Sequence, residues 1–370
     1  MIPPRRILVV CLRRLGDVLL STPIVRSLRR AYPDAEINAL VFASTASMLE
    51  GNPDLNRVIA WPDNGRGSWK LALSLFRRYD TAFAVTASDR AHYLTFLAAG
   101  RRYANVQAEH PRRALLDGAC VYTPDRLHTV VQNLRLLDTA AVPPAPEVVP
   151  PTTNNQAPLT ALLGDNWREL PWAVIHPSAL HRYKSWTHEG WRVLIRAMQL
   201  RGLRVAISGG PGSAERTEID VILKPLIGSA GLYDCVGHLR FAEWTPLLRR
   251  ARLFVGPDTS ATHLAAACGT PTLALFGPSS PLAWGPWPQG WIGSTGSPWQ
   301  LTAAHQRQGN VMIVQGGPTG RRGKCVPCLA EGCDGHRDSP SDCLDQLTPL
   351  TVIEAADQLL ASGPGGRAPA

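Results

Sequence analysis

FVGPDTSATHLAAACGTPTLALFGPSSPLAWGP, residues 254–286, reads as one repeating unit of structure. Residues 253–255 form a short apolar strand, and Gly256 and Pro257 turn the chain. Asp258, Thr259 and Ser260 then open a helix that runs to Ala267. Gly269 and Pro271 break it, and residues 272–276 make a second apolar strand that ends in a Gly-Pro loop. Strand, helix and strand in this spacing imply a parallel sheet covered on both faces.

The same alternation extends in both directions. Downstream of residue 158, strands fall at 172–176, 205–208, 232–236, 253–255 and 272–276. Helices fall at 187–200, from 213 onward, at 241–250 and at 260–267. In the first 140 residues, strands fall at 7–12, 36–41, 57–60 and 81–85. A helix at 21–31 carries Pro23 in its first turn, where the missing N–H does no harm. Between the two sets lies AVPPAPEVVPPTTNNQAP, residues 141–158, a proline-rich linker. The expected fold is therefore α/β, with two Rossmann-like domains facing a cleft. The expected boundaries are 1–140, the linker 141–158, a second domain 159–348, a helix 349–361 and a disordered tail 362–370. Ligands of such sheets bind outside the carboxyl ends of the strands.

Composition narrows the class. The chain has 370 residues, 45% of them apolar and 18% charged, which supports packed cores and rules out wholesale disorder. The longest apolar runs have about six residues, against about 20 for a membrane span. The opening MIPPRRILVVCLRR lacks a cleavage site and is not a secretory signal, so a soluble, cytoplasmic chain is expected. Net charge is +9, and only four of the 38 basic residues are lysine: Lys70, Lys184, Lys224 and Lys324. That balance suits anionic partners, whether nucleic acid, phosphorylated ligands or an anionic membrane surface.

Three junctions carry chemistry. RRLGDVLLSTP, residues 13–23, follows the first strand. It departs from the G-x-G-x-x-G pattern, which argues against a nicotinamide-dependent oxidoreductase. Asp17 there is either a helix cap or a general base facing the ligand. HPSALHRYKSWT, residues 176–187, places Lys184 before a helix start, where an ammonium suits a phosphate. In the quoted stretch, Asp258, Thr259 and Ser260 offer short oxygens and backbone N–H groups at a helix N-terminus. His263 lies on the first turn of that helix.

Together GDVLLSTP, the xxKxW loop and DTSATHLAAACGTPTLALFGPSSP resemble glycosyltransferase family 9, the ADP-heptose:lipopolysaccharide heptosyltransferase family, over about residues 5–360. Ser260 stands where the family often has glycine, and Thr262 where it often has serine. The resemblance implies a two-domain (GT-B type) glycosyltransferase that inverts the anomeric centre and needs no catalytic metal. Under it, Asp17 deprotonates the acceptor and Lys184 neutralises the leaving diphosphate. Thr259 and Ser260 hold that diphosphate, and Asp258, His263, Ser178 and Glu215 contact the donor. It implies ADP-heptose as the nucleotide sugar and a lipid-linked saccharide of the lipopolysaccharide core as the acceptor. Domain closure would join the two halves and exclude water. Arg13, Arg14, Arg26, Arg29 and Arg30 would suit a phosphorylated acceptor at the inner face of the cytoplasmic membrane. Acceptor specificity would lie in residues 43–70 and 86–126, whose pattern is not legible.

Four of the eight cysteines, Cys11, Cys120, Cys235 and Cys268, read as small buried hydrophobes. The other four form C-x2-C-x4-C-x9-C: Cys325, Cys328, Cys333 and Cys343. That set could bind a structural zinc, with His336 as a substitute ligand, or pack as thiols, with an iron–sulfur cluster less favoured and disulfides not expected in a reducing cytosol. Competing readings are a related transferase with another nucleotide sugar or acceptor, a UDP-sugar epimerase of similar fold and a nucleic-acid-binding module. The last is disfavoured by dispersed basic residues and the lack of an RNA-binding signature.

Overall fold

The computed structural model describes residues 3–109, 113–123, 126–293, 295–318 and 325–362. The expected tail falls, from residue 363 onward, outside the described residues. The chain divides into two compact units, Met1–Thr152 with Gly290–Ser297 and Thr153–Gln289 with Pro298–Ala370.

The first unit is a six-stranded sheet of β1 (Arg6–Cys11), β2 (Glu36–Phe42), β3 (Arg57–Trp61), β4 (Tyr79–Ala84), β5 (Ala99–Val106) and β6 (Gly118–Val121). Its spatial order is β3-β2-β1-β4-β5-β6 and every pairing is parallel. That is the Rossmann order. β1 reads RILVVC and buries five of its six residues, because a strand covered on both faces has no polar side. The helices are α1 (Leu15–Leu19), α2 (Thr22–Ala31), α3 (Ser68–Leu75), α4 (Asp89–Ala98) and α5 (Thr129–Asp138).

Helix α2 buries Ile24, Val25 and Leu28 and turns its arginines outward from that core. Those arginines have partners within the unit. Arg26 Nε lies 2.6 Å from Asp54 Oδ2 and its Nη1 2.7 Å from Glu147 Oε2. Arg30 reaches the same Glu147 at 3.2 Å. Arg29 donates to the carbonyls of Pro33 and Ala35 and to Asn56 Oδ1. Residues 141–152 form neither helix nor strand and lie along this unit. Ala145 N donates to Ser27 Oγ, Val149 N to Thr22 Oγ1 and Thr152 N to Glu50 O. Val142, Ala145, Val148 and Val149 are buried there.

The second unit holds α6 (Ala157–Leu163), β7 (Trp172–Ile175), α7 (His188–Leu200), β8 (Arg204–Ile207), α8 (Ser213–Leu223), β9 (Leu232–Asp234) and α9 (Phe241–Leu248). It continues with β10 (Leu253–Pro257), α10 (Ser260–Ala267), β11 (Thr272–Phe276), α11 (Pro281–Trp284), β12 (His305–Gln308), β13 (Val311–Gln315), α12 (Asp342–Asp345) and α13 (Pro349–Ser362). Strands β9-β8-β7-β10-β11-β13 repeat the order of the first sheet, all parallel, and β12 adds an antiparallel edge. The β12–β13 hairpin has no counterpart in the sequence reading. β12 reads HQRQ, and a polar edge strand carries no hydrophobic pattern to find.

The core of this unit packs Trp186 edge-to-face on Trp191 with ring centroids 5.0 Å apart. Val352, Ala355, Ala356 and Leu359 of α13 complete the same core. The four scattered cysteines are buried and free. Burial pushes the thiols of Cys11, Cys235 and Cys268 up to about 12, so they are neutral packing groups.

Candidate active site

In the first unit, β1 ends at Cys11 and the chain enters α1 through Arg13, Arg14 and Gly16. Arg14 occupies the N-cap position, and Asp17 sits in the first turn of the helix. The Asp17 side chain keeps 15% of its surface exposed, and Arg13 Nε lies 3.4 Å from its Oδ1. Burial raises the Asp17 carboxyl above the usual carboxylate range. The charges of Arg13 and Arg14 and a hydrogen bond from the Arg14 backbone N–H oppose this without cancelling it. Arg14 makes no side-chain cap bond to α1, and its N–H favours the charged form of the Asp17 carboxylate. Asp17 is a reachable carboxylate biased toward holding a proton, the property a general base needs. Arg13 is half exposed and Arg14 exposed.

In the second unit the remaining residues gather at the carboxyl ends of three adjacent strands, β10, β7 and β8. β10 ends at Pro257, and Thr259 is the N-cap of α10, with no side-chain cap bond to the helix. Its Oγ1 lies 3.4 Å from Thr262 Oγ1, whose proton goes to Pro257 O at 2.6 Å. The first turn of α10 therefore keeps backbone N–H groups that no Thr259 hydroxyl satisfies. Ser260 lies in that first turn and is partly exposed.

Lys184 Nζ lies 2.6 Å from Asp258 Oδ2, with Asp258 nearly buried. Burial alone would raise the Asp258 carboxyl. The Lys184 ammonium beside it and hydrogen bonds from Lys184 and Ser279 outweigh that, and hold it below the usual range. His263 is buried one turn into α10, and burial pushes its imidazole down to about 4 against the pull of Asp258. Its Nδ1 is a buried polar atom without a partner among the described residues. Such an atom is costly unless a ligand or water satisfies it.

Beyond β7, His176 Nδ1 lies 3.0 Å from Ser208 Oγ at the end of β8. Burial lowers the His176 pKa, and the charge of Glu215 works against it. A Cβ on Gly210 would come within 2.8 Å of Glu215 Oε2, so only glycine lets that carboxylate lie over the turn. Ser178 is buried after β7.

Sequence reasoning missed what holds the Lys184 loop. Ser341 Oγ donates to Tyr183 O at 2.7 Å, Arg182 Nη2 pairs with Asp345 at 2.9 Å, and Trp186 Nε1 donates to Leu347 O at 2.8 Å. The loop after β11 is held from the same side, with Leu329 N donating to Pro278 O at 3.0 Å. A Cβ on Gly277 would meet Cys343 Sγ at 3.1 Å. The cysteine-rich segment thus braces both loops that carry Lys184 and Ser279. No local pattern announces this, because the contacts to the Lys184 loop span more than 150 residues.

Burial pushes the Cys343 thiol up to about 12, reinforced by Cys328, Cys333 and Cys325 around it. Cys333 Sγ accepts from Asp342 N at 3.4 Å. Among the described residues, no three His, Cys, Asp or Glu side chains are grouped so that they could hold a metal ion.

Comparison with known proteins adds to this geometry. The family model of glycosyltransferase family 9 (heptosyltransferase) matches residues 68–312, more than half of the chain. Lipopolysaccharide heptosyltransferase 3 of Escherichia coli K12 is 28% identical over 298 residues, 74% of this chain and 82% of that protein. The structure of the E. coli ADP-heptose lipopolysaccharide heptosyltransferase II superposes with a TM-score of 0.72 at 21% identity. It covers 96% of this chain and 98% of that one. The iron-containing dodecameric glycosyltransferase TibC of enterotoxigenic E. coli superposes with a TM-score of 0.52 at 15% identity, over 97% and 77% of the two chains. Its two Rossmann-like units are those of a GT-B glycosyltransferase, and the chain belongs to glycosyltransferase family 9, the heptosyltransferases.

Proposed function

We propose that the chain transfers heptose from ADP-heptose to a lipid-linked saccharide of the lipopolysaccharide core, with inversion at the anomeric carbon. Relatives named as lipopolysaccharide heptosyltransferases supply the substrate classes for this reading. The observation that carries it is the Lys184–Asp258 pair at the first turn of α10, beside the orphaned His263 Nδ1. An ammonium fixed by a buried carboxylate at a helix N-terminus is suited to a diphosphate.

In this mechanism Asp17 takes the proton of the acceptor hydroxyl. The freed oxygen attacks the anomeric carbon from the face opposite the nucleotide, and the bond to the diphosphate breaks. The developing charge on ADP is met by Lys184 and by the N–H groups at Thr259 and Ser260, so the reading uses no metal. Asp258 holds Lys184 in place. His263, neutral at physiological pH, Ser178 and Glu215 orient the donor. Arg13 and Arg14 face the acceptor. The reaction is placed at the cytoplasmic face of the membrane that carries the acceptor. No helix among the described residues is long and apolar enough to cross it.

Binding calorimetry against ADP, UDP, GDP and CMP, then ADP-heptose, tests the donor. Selective ADP binding, tightened by the sugar and lost in a Thr259→Ala, Lys184→Ala double variant, supports the reading. A preference for UDP or GDP would keep the transferase class and move the donor. No nucleotide binding would overturn the reading.

For the cysteine-rich segment we propose a structural zinc on Cys325, Cys328, Cys333 and Cys343. Four sulfur donors in this spacing suit zinc, and because the described side chains are not grouped to hold a metal, the four thiols would have to close in on binding it. Elemental analysis of the purified chain decides it: one metal per chain, lost in Cys328→Ser together with thermal stability, supports the site. A metal-free chain with an unchanged melting temperature would sink it.

A further inference from the structure

Helix α3 of the first unit is apolar on two faces. Leu75 is buried, and Leu71 packs against the same core. Trp69, Leu73 and Phe76 lie on the other side and are 62%, 64% and 59% exposed. Their i, i+4, i+7 spacing places them in one stripe. A single exposed apolar residue needs no explanation, but two large ones on a helix of eight residues, with a third at its C-cap, do.

The charges around the stripe have one sign. Between Asp63 and Asp80 the chain reads NGRGSWKLALSLFRRY, with Arg66, Lys70, Arg77 and Arg78 and no acidic residue. All four cations are exposed. Lys70 Nζ lies 5.5 Å from the Trp69 ring centroid, and the Arg77 guanidinium 5.7 Å from that of Phe76. Lys70 and Arg77 are therefore held beside the apolar stripe. The two flanking acids are engaged elsewhere: Asp63 accepts from Ser44, and Asp80 from the backbone N–H groups of Arg5 and Arg6. Helix α4, which packs against α3, opens with Asp89 followed by Arg90, whose charges offset each other.

We propose that the α3 face is a docking surface for an anionic phospholipid bilayer. Trp69, Leu73 and Phe76 enter the boundary between headgroups and acyl chains, and Arg66, Lys70, Arg77 and Arg78 face the lipid phosphates. A short amphipathic helix with an aromatic apolar face and a basic rim is the form that lies in that plane. A continuous anionic surface is the partner that satisfies four cations of one sign with no acid among them. The inference extends the membrane-surface reading above and is tested by binding alone, without donor or acceptor.

The test is co-sedimentation of the full chain with vesicles of phosphatidylethanolamine and phosphatidylglycerol, against vesicles of phosphatidylcholine. The native chain should partition onto the anionic vesicles and lose that binding as salt is raised. A W69S/L73S/F76S variant should bind at least about tenfold more weakly, and K70E/R77E should also weaken. Both variants change exposed side chains and should melt with the native chain and bind ADP as it does. Unchanged vesicle binding by the apolar triple variant would overturn the proposal. So would native binding that is indifferent to lipid charge, or a native chain that stays in the supernatant. If the stripe variants released a protein partner and left vesicle binding intact, the face would be a protein interface and the proposal would fall. Loss of ADP binding in the native chain would instead strike the donor reading, independently of this one.

Discussion

Asp17 and Asp258 occupy the same local grammar in two different units. Each follows the end of a parallel strand, has a glycine one or two residues before it, and lies at the start of a helix. Each is largely desolvated, and desolvation pushes both toward the protonated form. They nevertheless end on opposite sides of the ordinary carboxylate value. Asp258 has an ammonium at 2.6 Å and a hydrogen bond from Ser279, and those outweigh burial. Asp17 has a half-exposed guanidinium at 3.4 Å, and that does not. At a strand-to-helix junction, then, the partner sets the protonation state, and the partner comes from elsewhere in the chain. One junction holds a carboxylate that stays charged and anchors a lysine. The other holds a carboxylate poised to accept a proton.

The largest expected effect separates the two roles by activity. Asp17→Asn should lower transfer by about 10²–10⁴-fold, the range of a lost general base. Its fold should not suffer. The folded-state pKa of Asp17 lies above its unfolded value, so ionisation opposes folding above that window. The amide removes this cost, and the melting temperature at neutral pH should hold or rise. Loss of both activity and stability would return Asp17 to a purely structural cap.

Asp258→Asn should do the reverse and act first on stability. It removes the carboxylate from the Lys184–Asp258 pair, and breaking a buried pair costs about 3–5 kcal/mol. The folded-state pKa of Asp258 is depressed, so its contribution is present above the unfolded value and fades as pH falls through the folded one. Denaturant midpoints of native and variant chains should therefore converge on acidification. A gap that persists at low pH would mean that packing, rather than charge, holds the site.

His263 tests the same pocket from the other side. Its imidazole titrates near 4 in the fold and near 6.5 unfolded. Between those values the unfolded chain binds more protons, so acidification should remove up to about 3 kcal/mol of stability. His263→Gln should flatten that slope. His176, also buried and also held low, keeps part of it. An unchanged slope in His263→Gln would place the His263 ring in water.

Much of the fold was legible because parallel strands covered on both faces read as unbroken apolar runs. β11 and α10 begin and end where the residue pattern puts them. The pattern failed at β12 and α3, where burial is one-sided or absent, whereas β13, VMIVQ, is a buried apolar run that the reading simply passed over. β12 is polar on an edge, and α3 scatters apolar residues over two faces, so neither has a period to detect. At the candidate site, the residue types at the strand ends were legible from turn chemistry, but their partners were not. Lys184 and Asp258 stand 74 residues apart, and Ser341 reaches Tyr183 across 158. Arg26, Arg29 and Arg30 share a helix face as their spacing implies, yet that spacing could not reveal Asp54 and Glu147 waiting for them.

The smallest effect is the sharpest probe of the comparison, because it changes a partner and leaves both carboxylates in place. Arg13 lowers the Asp17 pKa through its charge and its hydrogen bond. Arg13→Met keeps much of the side chain's bulk and deletes both influences, so Asp17 should move further above the carboxylate range. Where Asp17 must be ionised to act, the acid limb of the kcat/KM profile then moves to higher pH, and the plateau at alkaline pH changes little. Because the Arg13 side chain is 49% exposed, part of its influence is screened by salt. Raising ionic strength should therefore move the native profile in the same direction as the variant, and should move the variant's own less, since only the Arg14 charge is left to screen. The Lys184–Asp258 pair is more deeply buried and should show no matching salt dependence in stability. An acid limb indifferent to both Arg13→Met and salt would assign that limb to another group, and the contrast between the two junctions would lose its catalytic meaning.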